Sequence, residues 1–420
     1  MNHSGHSLTS LGQQLVPRLD ELGKVSDEPG RLVRTFLSPA SLRAHALVGG
    51  WMREAGLMVT GDVFGNVIGT RPGPAGTRKL VIGSHLDTVV DAGRFDGPAG
   101  VLLGIAVAAA LPDLPFGLEV VGFSDEEGVR FQSTYLGSRA YAGLITPREL
   151  ALRDEAGISV GELVAARRAQ GYPEVVVTSG TLLGYLEIHI EQGPVLESRN
   201  LPLAVVQGVA GQTRVLAGFT GKAGHAGTTP MAGRRDALPA AAQMILETEA
   251  DAISRMPLVA TVGKLEVLPG AGNVIPGSVR FSLDVRSHED AARQAALQHL
   301  GAFGARLAQE RGLAWHWEVK QESSSVPFDQ WLTDELEQAV AEQQRPVPLL
   351  FSGAGHDAAV MAALGPAAML FVRCREGLSH HPDEYASPDD LTAALQAAVR
   401  FVRLLADDPD LASRLPCTTS

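Results

Sequence analysis

Residues 99–111 run as AGVLLGIAVAAAL, without one charged or strongly polar side chain. A helix built from them has no face to offer water, so it must be covered on nearly every side. Apolar runs of strand length lie before and after it, at residues 79–84 and 118–124. Strand, fully buried helix, strand is the repeating unit of an open, mostly parallel sheet with helices on both faces. The run is also far too short to span a bilayer.

The same rhythm extends toward both ends. Helices are expected at residues 8–22 and 41–55, followed by short strands at 58–60 and 67–69. A helical pattern at 135–143 and a polar, peripheral stretch at 145–181 lead to a strand at 185–190. A different order fills residues 208–325: strand 213–220, helix 235–255, strand 258–268, strand 278–286, helix 289–311 and strand 314–320. That βαββαβ order matches the ferredoxin-like split unit. The first rhythm then resumes with helix 331–344, strand 368–372 and helix 388–405. At 420 residues the chain is long enough for two domains. The expectation is an α/β, mostly parallel-sheet domain made from residues 1–207 and 326–420, with residues 208–325 inserted into it.

The net charge of -12 disfavours nucleic acid and anionic membranes as partners. The opening MNHSGHSLTS lacks the charged and apolar regions of a signal peptide. Cys374 and Cys417 are the two cysteines, so no disulfide framework exists. A cytoplasmic enzyme acting on a small molecule is expected.

Five side chains able to bind a metal stand where apolar runs give way to turns. They are His85 and Asp96 in VIGSHLDTVVDAGRFDG, Glu127 in VVGFSDEEGVRF, His189 in GYLEIHIEQG and His380 in LFVRCREGLSHHPDEY. Open α/β sheets place their ligands at such strand ends. Singly, each reads more readily as a satisfied polar residue or a solvated turn; together they form a set. Imidazole and carboxylate suit Zn, Mn, Co or Ni, and no thiolate is near to argue for a closed structural zinc. Asp96 follows His85 by eleven positions in a Gly-rich turn. Its two oxygens can therefore face two ions, about 3.5–4 Å apart as in known two-metal hydrolases. Two divalent ions per subunit are expected. Glu126 stands beside Glu127, and adjacent residues at a strand end point in different directions, so one can bind metal while the other serves as general base.

Other motifs carry candidate chemistry. GKAGHAGTTPM holds His225, which is either a turn hydrogen-bonder or a catalytic donor to an oxyanion. GAGNVIPG holds Asn273, and FSLDVRS carries Arg286, either a surface ion-pair partner or a bidentate clamp for a substrate carboxylate. FSGAGHDA contains Gly355 and His356, but no Gly-Lys-Ser/Thr follows to make a phosphate loop. No Gly-x-Ser-x-Gly elbow supports a serine nucleophile.

Taken in order, GSHLDTVVDAGRFDG, DEEGVRF, HIEQGPVLE, HAGTTPM, SGAGHDA and GLSHHPDE resemble the motifs of the M20-type amidase, hydantoinase and carbamoylase family. That family includes N-carbamoyl-L-amino-acid hydrolases, β-ureidopropionases and allantoate amidohydrolases. The resemblance implies a dinuclear metal catalytic domain with an inserted lid that also forms a homodimer interface. Carried over by position, His85, Asp96 and His189 would hold one ion and Asp96, Glu127 and His380 the other, with His380 favoured over the adjacent His381. Glu126 would be the general acid/base, and Gln192, His225, Asn273, Arg286, Gly355 and His356 would contact substrate. The HIEQG segment and the spacing from His85 to Asp96 resemble the ureido-cleaving branch. FSDEEGVRFQSTYLGSRAYAG, VAGQTR and MLFVRCREGLSHHP look most like the allantoate amidohydrolases. The implied activity is hydrolysis of a ureido C–N bond on a small carboxylate, with an N-carbamoyl-L-amino-acid hydrolase or β-ureidopropionase as the near alternative. An aminoacylase or dipeptidase stands further off, and a non-enzymatic ligand-binding module is the reading from a different class.

Overall fold

In the computed structural model, which describes residues 7–414, the first part of the chain supplies α1 (Leu8–Leu22), α2 (Pro39–Glu54), β1 (Met58–Gly61), β2 (Val67–Arg71) and β3 (Lys79–His85). It continues with α3 (Pro98–Ala110), β4 (Gly117–Phe123), α4 (Leu136–Tyr141), α5 (Pro147–Leu150), α6 (Val160–Ala169) and β5 (Leu182–Ile190). α7 (Val195–Arg199) and β6 (Leu203–Val209) follow. The middle of the chain forms β7 (Gly211–Thr220), β8 (Gly224–His225), α8 (Ala237–Ser254), β9 (Val259–Thr261) and β10 (Leu265–Leu268). It closes with β11 (Val274–Ile275), β12 (Ser278–Ser287), α9 (Asp290–Arg311), β13 (Ala314–Ser323) and β14 (Val326–Pro327). The last part contributes α10 (Gln330–Ala341), β15 (Leu349–Ser352), α11 (Asp357–Met361), β16 (Ala367–Val372), α12 (Pro388–Asp407) and α13 (Leu411–Arg414). Cys417 lies outside the described residues.

Two compact units result, one running to Gly208 and resuming at Phe328, the other spanning Val209–Pro327. In the first, the sheet order is β1-β2-β4-β3-β5-β16-β6, with β15 also on β6. Its centre, β4-β3-β5-β16, is parallel, and antiparallel pairs flank it on both sides. Parallel neighbours end at the same edge, so the carboxyl ends of these four strands lie together.

The helix at the heart of this unit is α3, whose residues from Pro98 to Ala108 are all buried. It packs into one cluster with Leu80, Ile82, Val120, Ile188 and the apolar stripe of α12. Replacing a fully buried Leu103 or Ile105 by Ala would cost about 2–5 kcal/mol through lost transfer energy and the cavity left behind. Local signals fix the helix starts. Ser38 and Ser387 cap α2 and α12 by accepting from the amides of Ser41 and Asp390, with Pro in the first turn of each. Ser159 and Glu162 form a capping box on α6, within the stretch expected to be peripheral. That stretch still buries Val160 and Val164 against Phe36, Phe64 and Phe131.

In the second unit the antiparallel sheet runs β10-β12-β7-β13, with β9 also on β12. Helices α8 and α9 bury Ala240, Met244, Ala296 and Leu300 in a core with Phe219, Phe281 and Val285. The strand expected over 258–268 is broken into β9 and β10. At the break the register against β12 shifts by one residue, and Ser282 Oγ accepts from the Lys264 amide while its own amide donates to the Lys264 carbonyl. Among the described residues no helix is long and apolar enough to cross a membrane.

Candidate metal centre

The carboxyl ends of β3, β4, β5 and β16 carry the expected ligands. His85 closes β3, Glu126 and Glu127 follow β4, His189 is the penultimate residue of β5, and His380 lies in the loop after β16. Asp96 sits in the loop from β3 to α3. Gly97 follows it with φ +81, and a Cβ there would lie 2.5 Å from the His85 ring, so this turn requires glycine.

The structure brings these residues into two overlapping groups, His85 with Asp96 and His189, and Asp96 with Glu127 and His380. Nε2 of His85 and of His189 lie 3.4 and 3.0 Å from Asp96 Oδ1, and 3.5 Å from each other. On the far side of each ring, Nδ1 faces a backbone carbonyl, that of Asp87 at 3.1 Å and of Ile190 at 2.8 Å. Donation from both Nδ1 atoms leaves the Nε2 lone pairs pointing at a carboxylate oxygen that is itself buried without a hydrogen bond. With both rings neutral, three electron-pair donors converge, an arrangement that either protons or a divalent cation relieves. Asp96 Oδ2 turns the other way, 3.6 Å from His380 Nε2, which is 3.2 Å from Glu127 Oε1. His381 instead accepts from the Asp383 amide and stays outside the group.

Electrostatics follow from this crowding. Burial opposes charge on His85, yet Asp87 and Asp96 outweigh it and hold its pKa well above the usual imidazole value. His189 moves up for the same reason, through Asp96. His380 is raised chiefly by its hydrogen bond to Glu127. Burial would lift Asp96, but the two histidines hold it well below the usual carboxylate range. The site thus draws positive charge, as protons or as metal. Glu126 lies with His85 and Glu127 in a third close group. Burial pushes its pKa well up, His85 offsets part of that, and Glu127, Asp357 and Asp87 add to it. A carboxyl group raised in this way suits proton transfer near neutral pH.

The remaining expected site residues fall into both units. Gln192 donates from Nε2 to Asp96 Oδ2 at 2.8 Å and to Ser379 Oγ at 3.2 Å. His356 is buried, its ring 4.6 Å from that of His189, with Nε2 2.8 Å from Ser352 Oγ. Burial, together with the neighbouring histidines, keeps it neutral by pushing its pKa well down. Gly355 precedes it in the turn between β15 and α11. In the second unit, β8 pairs with β11 so that His225 opposes Val274, next to Asn273. Nδ1 of His225 accepts from the amides of Gly227 and Thr228 at 3.1 and 3.2 Å, which assigns the ring proton to Nε2 as an exposed donor. Arg286 is engaged by Asp284 through two contacts, Nε to Oδ1 at 2.9 Å and Nη2 to Oδ2 at 3.0 Å. Of its two sequence readings, the ion pair is the one seen.

Residues 81–404 match the model of Peptidase family M20/M25/M40. The chain belongs to that family. It is 41% identical to the allantoate deiminase of Arabidopsis thaliana, over 93% of this chain and 82% of that protein. It is 40% identical to the N-carbamoyl-L-amino acid amidohydrolase of Geobacillus stearothermophilus, over 94% of this chain and 98% of that protein. Among solved structures it resembles an amidase of the hydantoinase/carbamoylase family from Burkholderia multivorans, with TM-score 0.89, 34% identity and coverage of 95% and 98% of the two chains. The mixed α/β fold with its parallel sheet centre is therefore that of the M20 family.

Three residues that support the site were not singled out in the sequence. Asp87 accepts from the amides of both Glu126 and Glu127 at 2.9 and 3.1 Å. Its place two residues after His85 was a usable signal. Glu187 ties the start of α11 to β5 by accepting from the Ala358 amide at 2.7 Å. Glu384 accepts from the amides of Phe95 and Asp96. No local pattern announces those last two contacts, because they join segments far apart in the chain.

Proposed function

We propose that this chain hydrolyses a ureido C–N bond of a small carboxylate, with allantoate as the substrate. The observation that carries the reading is the convergence of His85, His189, Glu127 and His380 on the two oxygens of Asp96, in a chain about 40% identical to ureido-cleaving relatives. On this reading His85, Asp96 and His189 hold one divalent cation and Asp96, Glu127 and His380 a second, each of them Zn, Mn, Co or Ni. When bound, such cations polarise a carbonyl oxygen and lower the pKa of water.

The residues of the chain do the rest. Glu126 takes a proton from the attacking water as its oxygen bonds to the ureido carbon, then passes that proton to the leaving nitrogen as the C–N bond breaks. From allantoate, loss of ammonia leaves a carbamate, whose remaining C–N bond breaks as carbon dioxide departs, so the products are ureidoglycine, ammonia and carbon dioxide. The Nε2–H of His225 stabilises the oxyanion. Gln192, Asn273, Gly355 and His356 line the substrate, and Arg286 exchanges Asp284 for the substrate carboxylate. Residues 208–325 serve as lid and homodimer interface, and the enzyme works in the cytoplasm without nucleic acid or membrane partners.

A second reading, an N-carbamoyl-L-amino-acid hydrolase, uses the same machinery and is favoured by the near-full coverage of the Geobacillus relative. Mn- and Zn-loaded protein assayed against allantoate, N-carbamoyl-L-amino acids, 3-ureidopropionate and a dipeptide separates the possibilities. Allantoate is expected to release ammonia fastest. Hydrolysis of the dipeptide alone would overturn the ureido reading, and loss of no activity after chelation would overturn the metal reading.

A further inference from the structure

Asp96 and His380 belong to loops that precede and follow the insertion in sequence, and one buried side chain joins them. Glu384 is 1% exposed. Its Oε1 accepts from the backbone amides of Phe95 and Asp96 at 2.8 and 2.9 Å, across 289 and 288 positions of sequence. Its Oε2 lies 3.3 Å from Ser379 Oγ, whose single hydroxyl proton also faces the nearer Asp96 Oδ2. Gly93 leaves room for this: a Cβ there would lie 2.4 Å from Glu384 Cβ and 2.6 Å from Oε1. Cradle, acceptor and donors thus come from the turn that carries Asp96 and the turn that carries His380.

We propose that Glu384 is a positioning residue that fixes the backbone of Asp96 against the His380 loop, so that the shared carboxylate presents its two oxygens to two ions. The inference rests on the metal reading above and adds a residue that holds a ligand without being one. Two amide donors buried against a single oxygen set the direction of the Asp96 side chain, because its backbone can no longer rotate. Outer partners of this kind tune metal affinity when they orient a ligand.

The test is titration of metal-free, full-length protein with Mn2+, read by calorimetry and by metal per chain, beside the melting temperature of each metal-free variant. Glu384→Ala is expected to weaken binding of the second ion by roughly 10- to 100-fold. Gly93→Ala leaves the Glu384 carboxylate intact but displaces it, and should show the same loss. Gly93 has no positive φ, so the added methyl strains contacts and not backbone. Glu384→Gln keeps an acceptor oxygen for both amides and should recover most of the affinity. Two ions bound with wild-type affinity by Gly93→Ala and by Glu384→Ala would overturn the proposal. If Glu384→Ala does not fold, wild-type binding by Gly93→Ala overturns it alone, as does a Gln variant weakened when Gly93→Ala is not. A wild-type chain that takes up no Mn2+ sinks the metal reading first, an outcome visible before any variant is compared.

Discussion

Asp87 Oδ1 accepts from the backbone amide of Glu126 at 2.9 Å, across 39 positions of sequence. The same carboxylate holds the Glu127 amide through Oδ2 and stands 3.5 Å from His85 Nδ1. One side chain therefore sets the loop that offers a base and a ligand together, and divides their work by backbone direction.

Glu126→Gln should keep metal and lose most turnover, on the order of 10²-fold or more for a removed general base. Glu127→Gln should do the reverse of the first effect and lower metal per chain. Metal analysis beside steady-state rates checks both, and retained turnover in Glu126→Gln would remove that residue from proton transfer.

Gly97→Ala should lower metal content more than any effect on the distant fold would explain. Its Cβ would meet the His85 ring at 2.5 Å, and φ +81 is a conformation side chains resist. Metal per chain, compared with Gly76→Ala, also at positive φ but with open space around it, is the discriminating measurement. Equal metal content in the two variants would mean the His85 contact is unimportant.

Much of this was legible in the chain. A stretch with no polar face at residues 99–111 demands burial, and α3 is buried from Pro98 to Ala108. The ligand set was readable because each member ends or follows a strand, and parallel strands gather their carboxyl ends. β6 and β15 escaped because their strand character comes from pairing with β16 and with each other. The role of Gln192 was also hidden: its amide meets Asp96, 96 positions away, and only the fold supplies that partner. Arg286 was ambiguous for a related reason, since Asp284 lies two positions earlier on the same face of β12 and either partner satisfies a guanidinium.

Acid should oppose metal loading. His85, His189 and His380 have raised values in the metal-free chain, so protons occupy them through a window above the ordinary imidazole pKa of 6.5. Metal must expel those protons, and apparent affinity rises with pH across that window. The sign for stability is opposite without metal. Groups raised on folding stabilise fully below their unfolded pKa, and that contribution is lost as pH rises through the folded values. The melting temperature of metal-free protein should fall from pH 6 to pH 8 relative to a His85→Gln variant, while the increment caused by Mn2+ grows. A Mn2+ increment that shrinks with rising pH would contradict the ligand assignment.

The inserted unit carries His225, Asn273 and Arg286 but no member of the metal groups among the described residues. If residues 208–325 also form the interface of a symmetric dimer, His225 is expected to serve the metal site of the partner subunit. Two separately inactive variants, Glu126→Gln and His225→Ala, test this when mixed. With His225 acting in trans, each heterodimer has one site bearing both defects and one bearing neither, so activity returns on subunit exchange toward a quarter of wild type for random pairing. With His225 acting in cis, every site keeps one defect and the mixture stays inactive. Exchange must be verified independently, by a mass tag on one variant. An inactive mixture that contains the tagged heterodimer rejects the shared site, while leaving the metal groups and the proton transfer by Glu126 as they stand.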